Sequence, residues 1–399
     1  MVKILFLYPF YEILPVKSNS GNWLVNGGKT NTADIPSLVS TLLTWERVRS
    51  FNVGFDFGAF SNRLTGSFDY FVRKTVDMVG PAPQLPLVLG IAPAIVNNAD
   101  MKSYGFEIEL SWRDRIGEVD YGVKFNLADA QQKVVKYPNT TNAFSDWYAG
   151  KMSGEIWGYT SLGIAKTDEE MKEHLASLPN GGQNQLGNKW GAGDIMYADI
   201  NGDGKVDGGK GTLADPGDQR IIGNSTPRYN FGLVLDASYK GFDVSIFFQG
   251  VGKRDYAPIV GTNGAVFWGA VNNIWQSMAM EEHFDYFRPE GHPMGANLNG
   301  YYPRPDFTSN KNHQVQTRYL QDASYIRLKN LQIGYTLPKQ WINKLHINRC
   351  RVYVSGDNLW TGTSLASMFD PETLAAGDWG SGKTYPLSKV ISFGLNVNF

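Results

Sequence analysis

The chain contains 399 residues with a formal net charge of −1, a length that suits two or three soluble domains or one large β architecture. The near-neutral charge argues against a nucleic-acid partner, and the single cysteine, Cys350, excludes an internal disulfide. Glycine (44), phenylalanine (22), tyrosine (20) and tryptophan (11) are abundant, whereas charged residues make up only 19%, a balance typical of strands, tight turns and aromatic-rimmed surfaces. The composition therefore favours an all-β protein.

The first 45 residues predict neither a membrane-spanning helix nor an export signal. No run in the chain approaches the roughly 18 consecutive apolar residues that a transmembrane helix needs. The opening MVKILFLYPFYEILP is interrupted by Pro9 and is followed by no small-residue cleavage site, so it does not predict a signal peptide. We interpret residues 1–45 as a partial strand and the remnant of a surface loop.

Nine segments within residues 46–399 alternate apolar and polar side chains with the period of a β-strand. They span residues 50–58, 63–72, 105–112, 119–127, 229–239, 242–250, 324–337, 351–356 and 391–399. In the seventh segment the phase slips near Lys329, which predicts a β-bulge. Cys350 is in phase with Val352 and Val354, so we expect it at an apolar strand position.

Short and long connections alternate along these nine segments. The short ones (59–62, 113–118 and 240–241) predict hairpins, whereas the others are long (73–104, 128–228, 251–323 and 357–390) or of medium length (338–350). A soluble sandwich has no reason to place its long loops at one end, but outer-membrane barrels have tight periplasmic turns and long extracellular loops. We therefore predict an antiparallel transmembrane β-barrel architecture, with the last strand ending at the periplasmic side and its apolar face toward lipid.

A short helix is predicted inside the largest loop, over TDEEMKEHLASLP (167–179). Thr167 and Glu170 have the spacing of a capping box, and Pro179 ends the segment. Met171, Leu175 and Leu178 fall on one helical face, which we expect to be buried.

The same loop contains DINGDGKVD (199–207), whose oxygen-bearing side chains alternate as in a calcium-binding loop. The candidate ligands are Asp199, Asn201, Asp203, the Lys205 carbonyl and Asp207. An EF-hand requires a glutamate at position 12, where this chain has Lys210, and the next carboxylates are delayed to Asp215 and Asp218. Two interpretations therefore remain open: a calcium site, or a turn held by Asx hydrogen bonds.

Aromatic residues are frequent in the long loops, where they could stack on sugar rings or contact peptide side chains. The candidates are Trp147, Trp157, Trp190, Trp268, Tyr301, Tyr302 and Trp379. Loop packing and interfacial belts use the same residue types, so a structural role is the alternative. The five histidines lack metal-ligand spacing and no G-x-S-x-G motif occurs, so we do not expect an enzyme.

Five blocks, in this order, resemble one known family. They are LTWERVRSFNVGFDFGAFSNRLTGSFDYFVRKTVDMV, NNADMKSYGFEIELSWRD, YADINGDGKVD with DQRIIGNSTPRYNFGLVLDASYKGFDVSIFFQGVG, SYIRLKNLQIGYTLP and VYVSGDNLWT. Together they make residues 20–399 similar to the SusC/RagA-type TonB-dependent outer-membrane receptors. The resemblance implies a 22-stranded barrel closed by an N-terminal plug, which imports oligosaccharides or peptides with energy from TonB and a SusD-like lipoprotein as lid.

The resemblance also assigns roles to individual residues. In that family the acidic loop resembles a calcium loop completed by the aspartate that corresponds to Asp218 of DQRIIG. The terminal strand, with Phe393, Leu395, Val397 and Phe399, resembles the signal read by the outer-membrane barrel-assembly machine. The plug and the first dozen or so strands have no counterpart here, so we expect the C-terminal part of such a barrel, not competent for transport alone.

A different class of protein is the alternative. A secreted β-rich module that binds calcium and glycans would share the acidic loop and the loop aromatics. Strand length distinguishes the two, because membrane strands need about 9–11 residues and an apolar face that a secreted module would not tolerate.

Overall fold

The computed structural model describes residues 14–36, 38–40, 43–81, 88, 93–258, 266–269, 280–306, 310–343, 346–374 and 384–399. Strands account for most of the regular structure of this part of the chain. Its helices are all too short or too polar to cross a bilayer.

Nine long strands form one sheet in which neighbours in sequence are neighbours in space. They are β1 (Arg47–Ala59), β2 (Leu64–Gly80), β3 (Val96–Ile116), β4 (Val119–Lys136), β5 (Arg228–Tyr239), β6 (Phe242–Lys253), β7 (Tyr325–Thr336), β8 (Arg349–Thr363) and β9 (Val390–Asn398). All pairings from β4 to β9 are antiparallel. The nine predicted strands are confirmed, although most are longer than predicted because backbone pairing continues beyond the alternating residues.

The register places apolar side chains on one face of the sheet and polar side chains on the other. Leu233 of β5 lies opposite Phe125 of β4 and Phe248 of β6. Asp236 follows Leu233 by three residues in β5 and lies opposite Ser245 of β6, and its side chain points to the other face of the sheet. We call these the apolar face and the polar face. The apolar face is exposed on β9, where Phe393 is 81% accessible.

Tight turns close the short connections, as predicted. Lys240 and Gly241 have φ values of +47° and +89°, so a two-residue turn with both residues in the left-handed region joins β5 to β6. The connection between β3 and β4 is only Gly117–Glu118, shorter than the predicted 113–118, because both strands extend to the turn. The alternation of short and long connections is therefore confirmed.

The predicted bulge lies at Lys329. Phe247 pairs with Asn330 and Phe248 pairs with Leu328, so Lys329 is the extra residue in β7. The pairing with β8 shifts at the same point, between Leu328 and Asn330. This irregularity returns the two halves of β7 to the correct faces.

The chain divides into two compact units. The first comprises residues 1–51, 72–104 and 132–152. Within it, Val16–Lys17 pairs with Thr32–Ala33, and Leu24–Val25 pairs with Gly28–Lys29. Asn97 donates to the Thr44 carbonyl at 2.9 Å and accepts from the Thr44 N–H at 2.8 Å, which fixes the segment before β1.

The second unit comprises residues 52–71, 105–131 and 153–399. Short strand pairs order its loops: Glu155–Gly158 with Arg220–Asn224, Ser161–Ile164 with Ile195–Tyr197, and Asp255–Tyr256 with Gln321–Asp322. Helix α1 (Asp168–Ala176) follows Thr167, whose side chain accepts from the Glu170 N–H, and a second helix, α2 (Lys339–Ile342), lies between β7 and β8. The predicted helix and its cap are confirmed.

We predict that Gly250→Ala destabilises the sheet. Gly250 lies in β6, where an added Cβ would overlap the Tyr325 carbonyl oxygen and the Phe231 ring. Because a backbone oxygen cannot move aside, we expect a loss of about 1–3 kcal/mol, as for other overpacked sites. Urea unfolding of the chain refolded in detergent measures this, with Gly28→Ala, whose nearest contact would be 3.9 Å away, as control. Equal midpoints for the two variants would contradict the described packing.

Candidate functional site

Three long loops of the second unit share one hydrophobic core. The loop after β4 contributes Tyr159, Ile195 and Tyr197, the loop after β6 contributes Phe267, Trp268, Tyr302 and Tyr319, and the loop after β8 contributes Leu365, Phe369 and Leu374. Their rings meet edge to face or stacked, for example Phe267 on Phe369 with centroids 6.3 Å apart. The loops therefore form one packed body.

This core contains two of the residues predicted to contact substrate. Trp268 and Tyr302 are each only 1% accessible, and their rings lie 6.1 Å apart in an edge-on arrangement. The half-buried Tyr301 and Trp190 pack against the same core, and the Tyr301 hydroxyl accepts from Gln321 at 3.0 Å. These positions favour the structural interpretation of the four residues.

The remaining aromatic candidates lie outside this hydrophobic core. Trp157 is half-buried in the strand Glu155–Gly158. In the first unit, Trp147 is 39% accessible and the Lys151 ammonium lies 5.7 Å from its ring centroid. Trp379 is outside the described residues. Among the aromatic candidates that the structure describes, Trp147 alone has an exposed ring.

Two tyrosines of the core, Tyr197 and Tyr319, donate hydrogen bonds to backbone carbonyl groups. Burial raises the pKa of Tyr197, Tyr302 and Tyr319 well above the usual value, so these phenols are neutral. The Tyr197 hydroxyl donates to the Lys311 carbonyl at 2.6 Å, and the Tyr319 hydroxyl donates to the Tyr301 carbonyl at 2.9 Å. These two hydrogen bonds join segments that are 18 and 114 residues apart in the sequence.

A buried charge cluster around Asp194 joins the first two of these loops. Asp194 is fully buried, and its carboxylate accepts from Arg304 at 2.7 Å, from Asn312 at 2.9 Å and from the Gly191 N–H at 2.9 Å. The Lys311 ammonium, itself 1% accessible, lies 3.0 Å away. No sequence pattern predicts this cluster, because Asp194 and its side-chain partners are more than 100 residues apart and form no motif.

A second cluster ties the loop after β8 to the sheet. Arg327 of β7 contacts Asp370 at 2.9 Å and Glu372 at 3.0 Å, and the bulged Lys329 reaches Glu372 at 2.7 Å. Burial would raise the pKa of Asp370, but hydrogen bonds from the Glu372 N–H, Arg327 and the Leu387 N–H outweigh it and lower that pKa. Asp370 is therefore a charged anchor for the loop.

In the acidic loop the carboxylates of two predicted calcium ligands accept hydrogen bonds from backbone N–H groups. Asp218 is fully buried, and its carboxylate accepts from the Ile200 N–H at 2.7 Å and from the Asp207 N–H at 2.8 Å. Asp199 accepts from the N–H groups of Gly202 and Gly204, at 2.7 and 2.8 Å. The residues between Asp207 and Asp218 therefore do not separate Asp218 from the rest of the acidic loop.

Internal hydrogen bonds and the ion pairs of Lys205 with Asp203 and Asp207 hold this loop. Asn201 Oδ1 accepts from the Asp203 N–H at 3.0 Å, and the Lys205 ammonium lies 2.6 Å from Asp207. The hydrogen bond from Lys205 lowers the pKa of Asp207. Among the described residues no three acidic, histidine or cysteine side chains are grouped to hold a metal ion. The arrangement matches the Asx-turn interpretation, and calcium binding stays a prediction.

Comparison with known proteins identifies the family. The model of the TonB-dependent receptor-like β-barrel matches residues 7–359. The chain belongs to the TonB-dependent receptor family. Members of this family are outer-membrane proteins, so this chain is an outer-membrane protein and the alternative of a secreted module is wrong.

Individual relatives agree with this assignment. The chain is 28% identical to the TonB-dependent receptor P3 of Formosa agariphila over 98% of its own length, and 21% identical to the TonB-dependent receptor SusC of Bacteroides thetaiotaomicron over 91%. It superposes on a structure of the RagAB peptide transporter with a TM-score of 0.70 at 23% identity, over 98% of this chain. The predicted SusC/RagA-type resemblance and the antiparallel sheet of a TonB-dependent receptor barrel domain are confirmed. The chain spans 33–39% of the length of these relatives.

We predict that calcium binds the acidic loop with a Kd of roughly 10⁻⁴–10⁻³ M, the range of extracellular calcium modules. Binding requires the Lys205 ammonium to leave Asp207, so calcium and the ion pair compete. Isothermal titration calorimetry on the refolded chain should show heat that Asp203→Ala weakens, because one oxygen ligand is lost. Asp146→Ala, which lies in the first unit, is the control. Absence of heat in the unmodified chain would leave the Asx turn as the whole explanation of the motif.

Proposed function

We propose that this chain forms part of the wall and the outer loops of a TonB-dependent importer for oligosaccharides or peptides. The observation that carries the proposal is the nine-stranded sheet with one exposed apolar face, one polar face and all its long connections at one end. Such a sheet suits a barrel wall that contacts lipid outside and water inside. Family membership supports the same role.

Strand length supports the proposal as well. The nine strands contain between 9 residues, in β9, and 21 residues, in β3. A tilted membrane strand needs about 9–11 residues, so every strand is long enough to cross the hydrocarbon core. The longer strands extend beyond that core, where they position the loops.

The partners follow from the proposed transport. We infer that the packed long loops face a SusD-like lipoprotein that acts as a lid, because the chain resembles SusC/RagA-type receptors. Energy from the TonB complex would enter through parts of the receptor beyond these 399 residues, because the relatives are more than twice as long. The proposed role is transport, in keeping with the family to which the chain belongs.

Uptake measurements test the proposal. Deletion of the gene that encodes this chain should abolish accumulation of one labelled oligosaccharide or peptide from a mixed pool, and collapse of the proton-motive force should do the same. Complementation with the Lys240→Gln variant should restore uptake, because Lys240 pairs with Glu118 on the exposed surface and both side chains are 60% accessible. Accumulation that survives both the deletion and the loss of energy would contradict the importer.

We also propose that β9 is the signal for the outer-membrane barrel-assembly machine, through Phe393, Leu395, Val397 and Phe399. Phe399 and Phe393 are both 81% accessible, so no contact inside this sheet explains the terminal phenylalanine. Phe399→Asp near the interface costs only about 0–1 kcal/mol of stability. A sharp loss of folded, heat-modifiable barrel in the outer membrane would then report failed recognition.

Asn398→Asp is the matched control for the terminal strand. Asn398 pairs with Arg349 and faces the polar side, one residue from Phe399. We expect this variant to reach the membrane at nearly the level of the unmodified protein. If both variants accumulate equally, the alternation of β9 serves strand packing only.

A further inference from the structure

The connection between β7 and β8 differs from the other connections at the short-turn end of the sheet. Those others are tight turns (60–63, 117–118 and 240–241), whereas residues 337–348 separate β7 from β8 and include helix α2. The sequence of this connection contains lysine and histidine but no aspartate or glutamate. Its length and its charge therefore set it apart from a simple turn.

Helix α2 packs on the end of the apolar face. Cys350 and Val352 of β8 are two residues apart and point to that face, yet Cys350 is 8% accessible and Val352 is 42% accessible. Ile342 of α2, which packs against β8, is buried as well. The Leu337 N–H donates to the Cys350 carbonyl at 2.9 Å and holds the start of the connection there. Helix α2 therefore covers the row of Cys350 and its strand partner Val397.

The exposed side of α2 presents an aromatic ring and a cation. Trp341 is 64% accessible, and Lys339 is exposed. None of the ion pairs among the described residues includes Lys339. In contrast, Lys240 in the turn between β5 and β6 lies 2.7 Å from Glu118. The Lys339 ammonium is therefore a cation that a ligand can approach.

A shallow groove on the apolar face begins next to α2. It has a volume of about 500 Å³ and is lined by the ends of β6 to β9. Its side chains form two rows across these strands: Phe242, Tyr335, Val352 and Leu395 in the first row, and Ile333, Val354 and Phe393 in the second. The first row directly follows the row that α2 covers. The helix and the groove therefore form one continuous surface.

Aromatic rings give the level of this surface in the membrane, and this step rests on the proposed function, in which the apolar face contacts lipid. Tyr239, Phe242 and Tyr335 are neighbours in one row next to the short turns, and the ring centroids of Phe242 and Tyr335 are 4.5 Å apart. Tyrosine and tryptophan concentrate where hydrocarbon meets the lipid headgroups. With Trp341 beyond this row, α2 lies at headgroup level and the groove at the level of the acyl chains. The short turns face the periplasm, so the leaflet is the periplasmic one.

We propose that α2 and the groove bind one anionic phospholipid of the periplasmic leaflet. The lipid phosphate contacts the Lys339 ammonium, and an acyl chain lies along the apolar side chains of the groove. A lysine can keep its stem on apolar surface while its charge reaches the headgroups, and basic residues at the membrane surface attract anionic lipids. Because the connection contains no carboxylate, nothing in its sequence opposes a negative headgroup.

Native mass spectrometry of the refolded 399-residue chain, released from detergent micelles, tests the site. Dipalmitoyl phosphatidylglycerol is the probe, and phosphatidylethanolamine with the same acyl chains is the control without net charge. We expect one phosphatidylglycerol to be retained about fivefold more strongly than phosphatidylethanolamine, the usual effect of one basic residue at an anionic surface. Lys339→Gln should remove this preference and leave the retention of phosphatidylethanolamine unchanged, which also shows that the variant is folded.

Two further arms separate the acyl chain from the headgroup. Val352→Phe should lower the retention of both lipids, because the larger side chain fills the first row of the groove. Glycerol 3-phosphate has the phosphate without acyl chains and should not displace the lipid. Lys172→Gln is the matched control, because Lys172 is an exposed lysine of helix α1, in a long loop at the other end of the sheet.

Several outcomes would overturn the proposal. They are equal retention of the two lipids by the unmodified chain, a preference that survives Lys339→Gln, and displacement of the lipid by glycerol 3-phosphate, which would indicate a simple anion site. A dimer that retains no lipid would show that a second copy covers the groove. Absence of lipid retention together with normal energy-dependent uptake in cells would reject this site and leave the importer intact, whereas lipid retention without uptake would do the reverse.

Discussion

The hydrogen-bond ladder of the nine-stranded sheet is the constraint on which the rest of the structure depends. In hydrocarbon an unpaired backbone N–H or C=O costs several kcal/mol, so a chain crosses the membrane only where each strand is paired. Sequential strand order satisfies this requirement with the shortest connections at one end and sends every long connection to the other. Fixed pairing also fixes the two faces, because a slip of one residue would exchange them.

The packed body formed by the three long loops buries its apolar side chains, whereas the sheet exposes them on one face. Its aromatic rings are packed inward, away from water, whereas the rings on β9 point outward. Charged clusters then select one arrangement of the loops, since a buried aspartate such as Asp194 is tolerated only with all its donors in place. Removing one partner of such a pair typically costs about 3–5 kcal/mol. The Asp194 and Arg327 clusters therefore fix the arrangement of the long loops.

Local signals explain why so much of the sheet could be predicted from the sequence. Period-two alternation, the Lys240–Gly241 turn, the slip at Lys329 and the Thr167 cap each depend on residues only a few positions apart. The burial of Trp268 could not be predicted in this way, because it depends on partners in distant loops. The Asp194 cluster joins residues 117 positions apart for the same reason. For the acidic loop the sequence did not decide between a calcium site and an Asx turn. It also could not predict that the Asp218 carboxylate would accept hydrogen bonds from backbone N–H groups.

Glycines on the polar face help to order the charged side chains of a sheet surface that contacts water. A long side chain on one strand normally meets only the adjacent strand, but a glycine in between allows it to reach the strand beyond, as Arg351 does over Gly334. Such pairs hold charged side chains flat against the wall and keep the adjacent space clear. A solute that binds at a closed pair must break it, and this costs the solute part of its binding energy. At Gly122 the Asp236 carboxylate occupies the space that a side chain would fill, so this glycine also allows a charged group to lie across the next strand.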